Sequence, residues 1–402
     1  MELVQKFLAE PAAFMQSYIL PFVVVLSVLV FVHEWGHYII ARLCGVKVET
    51  FSIGFGREIF GWTDKKGTRW KISWLPLGGY VQMFGDVDPA SANHAEGVKE
   101  GEAVRPFTAE EKKVAFFNQT VGKRAAIVFA GPAINFLLAI VIMTGMFAVK
   151  GQPFTPPVAG TVIEGSAAAA AGIQPDDKII AINNQKIEKF QDIVSAVAVN
   201  LDAPMAVQVL QSTAPGVWSD TPKTLTVTPK MVEETDRFGF RHTTGRIGIM
   251  SMKDGFEMKQ HSLGSAFVAA NVETYNITMN TLKALGQMVL GTRSKEELGG
   301  ILRIGAYAGE FAKEGIISLI SFAALLSVNL GLINLLPIPL LDGGHLAFYA
   351  VEVLKGGKPM GDKAQEYALR FGMVFLGSIM LFATWNDLVQ LKFVDYVLRL
   401  IS

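Results

Sequence analysis

The chain has 402 residues, of which 50% are hydrophobic and 18% charged, against about 25% charged in an average soluble protein; its mean hydropathy is +0.35. Formal net charge is zero, which excludes the basic stripe expected of a nucleic-acid binder. The single cysteine, Cys44, rules out an internal disulfide and a cysteine-built zinc site, so any metal must be held by His, Asp or Glu.

Four segments are apolar enough over the roughly 20 residues that a membrane-crossing helix needs. They run from Tyr18 to Ala41, Ala125 to Val149, Ile316 to Leu341 and, less purely, Tyr367 to Leu388. The first is expected to be a retained span rather than a signal peptide: Glu2, Lys6 and Glu10 replace a basic cluster, and HEWGH follows the apolar core where a small-residue cleavage site would stand.

Between the first two spans, "VETFSIGFGREIFGWTDKKGTRWKISWLPLGGYVQMFGD" alternates aromatic and β-branched residues with polar ones around Gly and Asp-Lys-Lys-Gly turns. This predicts a β-hairpin or small sheet on the inner membrane face within residues 44–124. The polar stretch from Asp86 to Asn118 lacks periodicity and is expected to be a loose loop.

After the second span (125–150), "VAGTVIEGSAAAAAGIQPDDKIIAINNQKIEKFQDIVSAV" predicts a strand, a turn of helix, a second strand, an Asn-Asn turn and a helix. With "MAVQVLQ" and "TLTVTPK" it makes an α/β module over 151–235, whose order is similar to a circularly permuted PDZ domain. In the connector 236–315, Val268, Val272, Tyr275, Met279, Leu282 and Val289 share one helical face opposite Glu273, Asn276 and Lys283, the pattern of an interfacial helix. Segments 316–345 and 346–402 carry the last two spans.

Arg42, Lys47, Lys123 and Arg124 flank the first loop, and Lys355, Lys358, Lys363 and Arg370 fill the last. Basic residues favour the cytoplasm, so both loops are expected there and the α/β module outside it. The fold class is thus a multi-span α-helical membrane protein with four transmembrane helices, a membrane-associated β-hairpin and one extracytoplasmic PDZ-like domain.

His33 and His37 lie four residues apart inside the first span, so they project from one helical face and can share a metal. Glu34 beside them completes an HExxH zincin motif and is the candidate general base. Two core histidines without a metal are the competing reading. That reading is costly at bilayer depth, where a charged side chain costs about 2.5–3.5 kcal/mol.

A third ligand is required, and depth favours Asp342: the first and third spans both run inward, and the third ends in "NLLPIPLLDGGH". Depth leaves His345 open, whereas Asp387 belongs to the outer end of the fourth span. Pro337 and Pro339 cannot continue a regular helix, and irregular backbone at membrane depth survives only when buried or beside a polar cavity. Asn329 and Asn334 serve either a polar site or helix-to-helix hydrogen bonding.

HEWGH, "GPAIN" (Gly131 to Asn135) and "NLLPIPLLDGG" together resemble the site-2 protease family of intramembrane zinc metalloproteases, and within it the bacterial regulator of sigma-E protease branch. The resemblance covers almost the whole chain. It implies Zn2+ on His33, His37 and Asp342, with Glu34 as catalytic base. It also implies that Asn329, Asn334 and the strand residues Gly78, Gly79, Tyr80 and Val81 hold the substrate backbone. The implied partners are single-span membrane proteins already shortened outside the membrane, such as an anti-sigma factor, or signal-peptide remnants, in a bacterial inner membrane. Well-known enterobacterial members have two tandem PDZ modules where this chain has room for one, and Ile301 stands where a proline is expected. A metal-stabilised PDZ scaffold and a metal or ion transporter are the rival readings; neither has a use for Glu34.

Overall fold

The computed structural model describes residues 10–86, 98–100, 103–214, 216–236, 238–252, 255 and 257–393. Among them, four helical stretches are long and apolar enough to cross a membrane: Pro11–Leu43, Val121–Val149, Ile316–Asn334 and Lys363–Gln390. The chain is a membrane protein. By contacts the described residues divide into two units, one within residues 10–142 and 300–385, the other within residues 143–299 and 386–393.

In the first unit, helix α1 (Leu20–Leu43) follows a π-helical stretch, Met15–Ile19. Strands β1 (Val48–Thr63) and β2 (Arg69–Met83) form the expected long antiparallel hairpin. The strands fold so that residues 50–53 lie between 69–72 and 79–82, and aromatic packing fastens them to α1, with Phe51 stacked on Trp70 at 4.4 Å between centroids and both rings edge-on to Tyr38. Toward the tip, Phe60, Trp62 and Trp74 are exposed.

The segment expected to be loose is ordered where it is described, although residues 87–97 and 101–102 lie outside the described part. Strands β3 (Val98–Glu100) and β4 (Ala103–Arg105) pair, and helix α2 (Ala109–Val114) opens on a capping box. The Thr108 hydroxyl accepts from Glu111 N at 3.2 Å while the Glu111 carboxylate accepts from Thr108 N at 2.8 Å. This reciprocal cap fixes a helix start without any apolar periodicity.

Helix α3 (Val121–Val149) carries Pro132 internally. Its further course and the α/β module belong to the second unit. There, β5 (Gln152–Phe154), β6 (Thr161–Val162), α4 (Ala167–Ala171), β7 (Lys178–Ile182), β8 (Gln185–Lys186), α5 (Phe190–Ala198), β9 (Met205–Leu210), β10 (Ser212–Ala214), β11 (Val217–Trp218) and β12 (Lys223–Val227) follow in order. A four-stranded antiparallel sheet of order β12-β9-β7-β8 buries Ile179, Ile182, Val207, Val209 and Val227 against Ile193 and Val197 of α5. This core extends past residue 235 to Ile247, because β13 (Lys230–Thr235) and β14 (Arg241–Arg246) form a hairpin and β15 (Ile249–Met250) returns to β6. Strand β16 (Glu257–Lys259) pairs with β5. Helix α6 (Leu263–Leu290) buries only small residues, Ala266, Ala270 and Thr274, and leaves Val268, Val272, Tyr275 and Met279 exposed.

Back in the first unit, the connector holds a second helix, α7 (Ile301–Glu314), which the sequence reading does not anticipate. It packs on the start of the first span, where the Tyr18 hydroxyl donates to Glu310 Oε1 at 2.9 Å. Helix α8 (Ile316–Asn334) stops at Asn334, seven residues short of the expected end at Leu341. Helix α9 (Asp342–Leu354) begins after the break and α10 (Asp362–Gln390) follows. The prolines end α8 as expected, and Leu340 takes a left-handed φ of +87°, a conformation that strains a side chain with a Cβ.

Candidate active site

One face of α1 presents His33 and His37, each only 8% exposed, as an i, i+4 pair must. The break after α8 delivers Asp342 to the same place as the first residue of α9. His33 Nε2 lies 3.2 Å from Asp342 Oδ2, His37 Nε2 lies 3.5 Å from it, and the two Nε2 atoms are 3.3 Å apart. A tetrahedral ion with bonds of about 2.0–2.1 Å holds its donor atoms about 3.3–3.4 Å from one another. The three atoms therefore already stand at the corners that zinc needs, and Asp342 Oδ2 is buried without a hydrogen-bond partner. His345 and Glu352 are not in this group of three. Glu352 instead pairs with Arg124 at 2.6 Å.

The neighbouring helix makes room for this cluster. A Cβ on Gly131 would come within 2.3 Å of His37 Nε2 and 2.9 Å of His33 Cε1, so the glycine of GPAIN is a notch for two imidazoles. His37 Nδ1 donates to the Ile127 carbonyl at 2.9 Å, since a carbonyl can only accept. That fixes its tautomer and leaves Nε2 with the lone pair a metal requires. His33 Nδ1 faces the fully buried side-chain amide of Asn135 at 3.1 Å. Neither Ile127 nor Asn135 is named as a site residue by the sequence reading. The Ile127 contact uses backbone and leaves no sequence signal, whereas Asn135 follows Gly131 by one helical turn inside a motif already singled out.

Glu34 borders the cluster and interacts electrostatically with His33, His37 and Asp342. Above it runs β2: a Cβ on Gly79 would lie 3.1 Å from Glu34 Cγ and 2.9 Å from Val30. Ile53, Ser52 and Phe51 of β1 pair with Gly79, Tyr80 and Val81, and the sheet has only these two strands among the described residues. Phe51, Ser52 and Ile53 also pair with Trp70, Lys71 and Ile72 on their other side, so β1 is flanked on both edges there, while Gly79, Tyr80 and Val81 of β2 keep one edge outside the ladder among the described residues. Gly78, at φ +137°, sits where the register shifts. Asn329 donates to the Leu325 carbonyl of its own helix at 3.0 Å, and Asn334 is the last residue of α8.

Comparison with known proteins places this arrangement. Residues 21–379 match peptidase family M50. Among curated relatives, "Putative zinc metalloprotease Atu1380" of Agrobacterium fabrum is 41% identical over 380 residues, covering 94% of this chain and 97% of its own. The metalloprotease MmpA of Caulobacter vibrioides is 37% identical over 382 residues, covering 90% and 93%. The family match begins one residue into the helix that carries HEWGH and ends within the last apolar helix, so it contains both halves of the cluster, and the chain belongs to peptidase family M50, the site-2 zinc metalloproteases.

Proposed function

We propose that this zinc metalloprotease hydrolyses peptide bonds inside the transmembrane segments of single-span proteins, with His33, His37 and Asp342 as zinc ligands and Glu34 as general base. The observation that carries the reading is the tetrahedral spacing of three donors, two on the first apolar helix and one at the break after the third, beneath a strand with an open edge. Zinc held there supplies a Lewis acid and lowers the pKa of a water to about 7. Glu34 takes the proton of the attacking water and passes it to the leaving amine nitrogen.

A transmembrane helix ties each carbonyl into its own ladder, so a substrate must be extended before it can be cut, and its freed backbone groups need partners where bulk water is absent. The outer edge of β2 at Gly78, Gly79, Tyr80 and Val81 offers those partners by strand addition. Asn334 and Asn329 add side-chain amides from the third span. Exposed Phe60, Trp62 and Trp74 on the hairpin suit a lipid interface.

By topology and family resemblance, the site faces the cytoplasmic side of a bacterial inner membrane and the α/β module is an extracytoplasmic PDZ-like filter. The substrates of that arrangement are proteins already shortened outside, an anti-sigma factor or a signal-peptide remnant. The test pairs wild type and Glu34→Gln, both zinc-loaded, with a tagged single-span substrate in vesicles. Cleavage by wild type, slowed about 10²–10⁴-fold in the variant, is expected of a lost general base. Equal fragment patterns would overturn the role of Glu34.

A further inference from the structure

We propose that Asn135 is a positioning residue for His33: its amide oxygen accepts a hydrogen bond from His33 Nδ1, fixing the tautomer that directs the Nε2 lone pair to the metal. The inference rests on the ligand set proposed above. Asn135 is fully buried, and the end of its amide assigned as Nδ2 faces His33 Nδ1 at 3.1 Å, an assignment that exchange of the amide oxygen and nitrogen reverses. The end assigned as Oδ1 is buried without a partner. The backbone is anchored independently, because the buried Ser327 hydroxyl of α8 donates to the Asn135 carbonyl at 2.8 Å. The side chain is thus free of any bond to the third span and is directed at one histidine.

Its two ends have nearly the same size, and hydrogen bonding decides which one faces the ring. His37 sets the pattern: its Nδ1 meets an acceptor, the Ile127 carbonyl, and its Nε2 turns to the cluster. His33 Nε2 turns to the same cluster. An imidazole that gives its Nε2 lone pair to a metal carries its proton on Nδ1, so the group facing Nδ1 must accept. The oxygen of Asn135 meets that requirement and its nitrogen does not.

Zinc affinity, measured by competition with a chromophoric chelator on the full chain in detergent, separates this role from hole-filling without using proteolysis. Asn135→Leu keeps the branched shape and loses the acceptor, and its affinity is expected to fall about 10–100-fold, the usual effect of losing an outer-shell partner. Asn135→Asp keeps an oxygen toward Nδ1 and should bind zinc at least as tightly as wild type. If the leucine variant does not fold, Asn135→Ala takes its place against the same aspartate rescue. Wild-type affinity in the leucine or alanine variant, or equal weakening in aspartate and leucine, overturns the proposal. His33→Ala is the control: unchanged zinc binding there would sink the ligand set itself rather than the role of Asn135.

Discussion

His33 Nε2 and Asp342 Oδ2 stand 3.2 Å apart, one on the first apolar helix and the other on the residue that reopens helical structure after the third. The three proposed metal donors thus come from opposite ends of the chain. Asp342→Asn replaces a carboxylate by a neutral oxygen and should weaken zinc by more than about 100-fold, beyond the range of outer-shell changes. Chelator competition measures it, and retention of wild-type affinity would remove Asp342 from the ligand set.

Gly131→Ala tests the notch. The added methyl would fall 2.3 Å from His37 Nε2, forcing the imidazole or the helix to shift. A displacement of about 1 Å in an active site costs on the order of 100-fold in rate. Cleavage assays on the variant should show that loss while circular dichroism shows unchanged helix content. Normal turnover would mean that the two helices can separate at no cost.

Arg124 and Glu352 form a buried ion pair at 2.6 Å, with side chains 13% and 8% exposed, and the Arg124 guanidinium lies over the Tyr349 ring. Removing one partner strands the other charge, at about 3–5 kcal/mol. Arg124→Met should therefore destabilise strongly in denaturant titrations in detergent, and the double variant Arg124→Met, Glu352→Leu should recover most of the loss. A double variant as unstable as the single would show that the charges contribute beyond compensating one another.

Glu111 carries a pH signature outside the spans. The two-point Arg105 guanidinium contact and the Thr108 cap hold its carboxyl down to about 2, from an ordinary 4.5. A depressed carboxylate stabilises the fold fully above its unfolded value and loses that contribution as pH falls through the folded one. Exchange of the α2 amides, corrected for intrinsic rates, should accelerate as pH drops from about 4.5 toward 2. Glu111→Gln should flatten that profile, and a variant that keeps the full pH response would assign it to another group.

Much of the site was legible because its chemistry is written at fixed spacing: HEWGH puts two imidazoles on one face, and two prolines announce the break before Asp342. The hairpin was legible from alternation and its Asp-Lys-Lys-Gly turn. Helix α2 was missed although Thr108 and Glu111 spell a capping box, since the polar surroundings gave no periodic apolar signal. The β13–β14 hairpin escaped for a related reason. Its turn is organised by Asp236, whose carboxylate accepts from the amides of Phe238 and Phe240, a local bond rather than a pattern. The support of His37 by the Ile127 carbonyl could not be read at all, because every residue has a carbonyl.

The break between Asn334 and Asp342 also governs depth. A continuous α-helix through residues 335–341 would advance about 1.5 Å per residue, carrying the carboxylate roughly 10 Å further along the span axis. The segment instead folds back, bringing Gly343 against the Leu335 and Leu336 carbonyls and Asp342 beside the imidazoles. The length and pucker of that seven-residue stretch, more than the length of the span above it, therefore set the level in the bilayer at which this protein can assemble its metal.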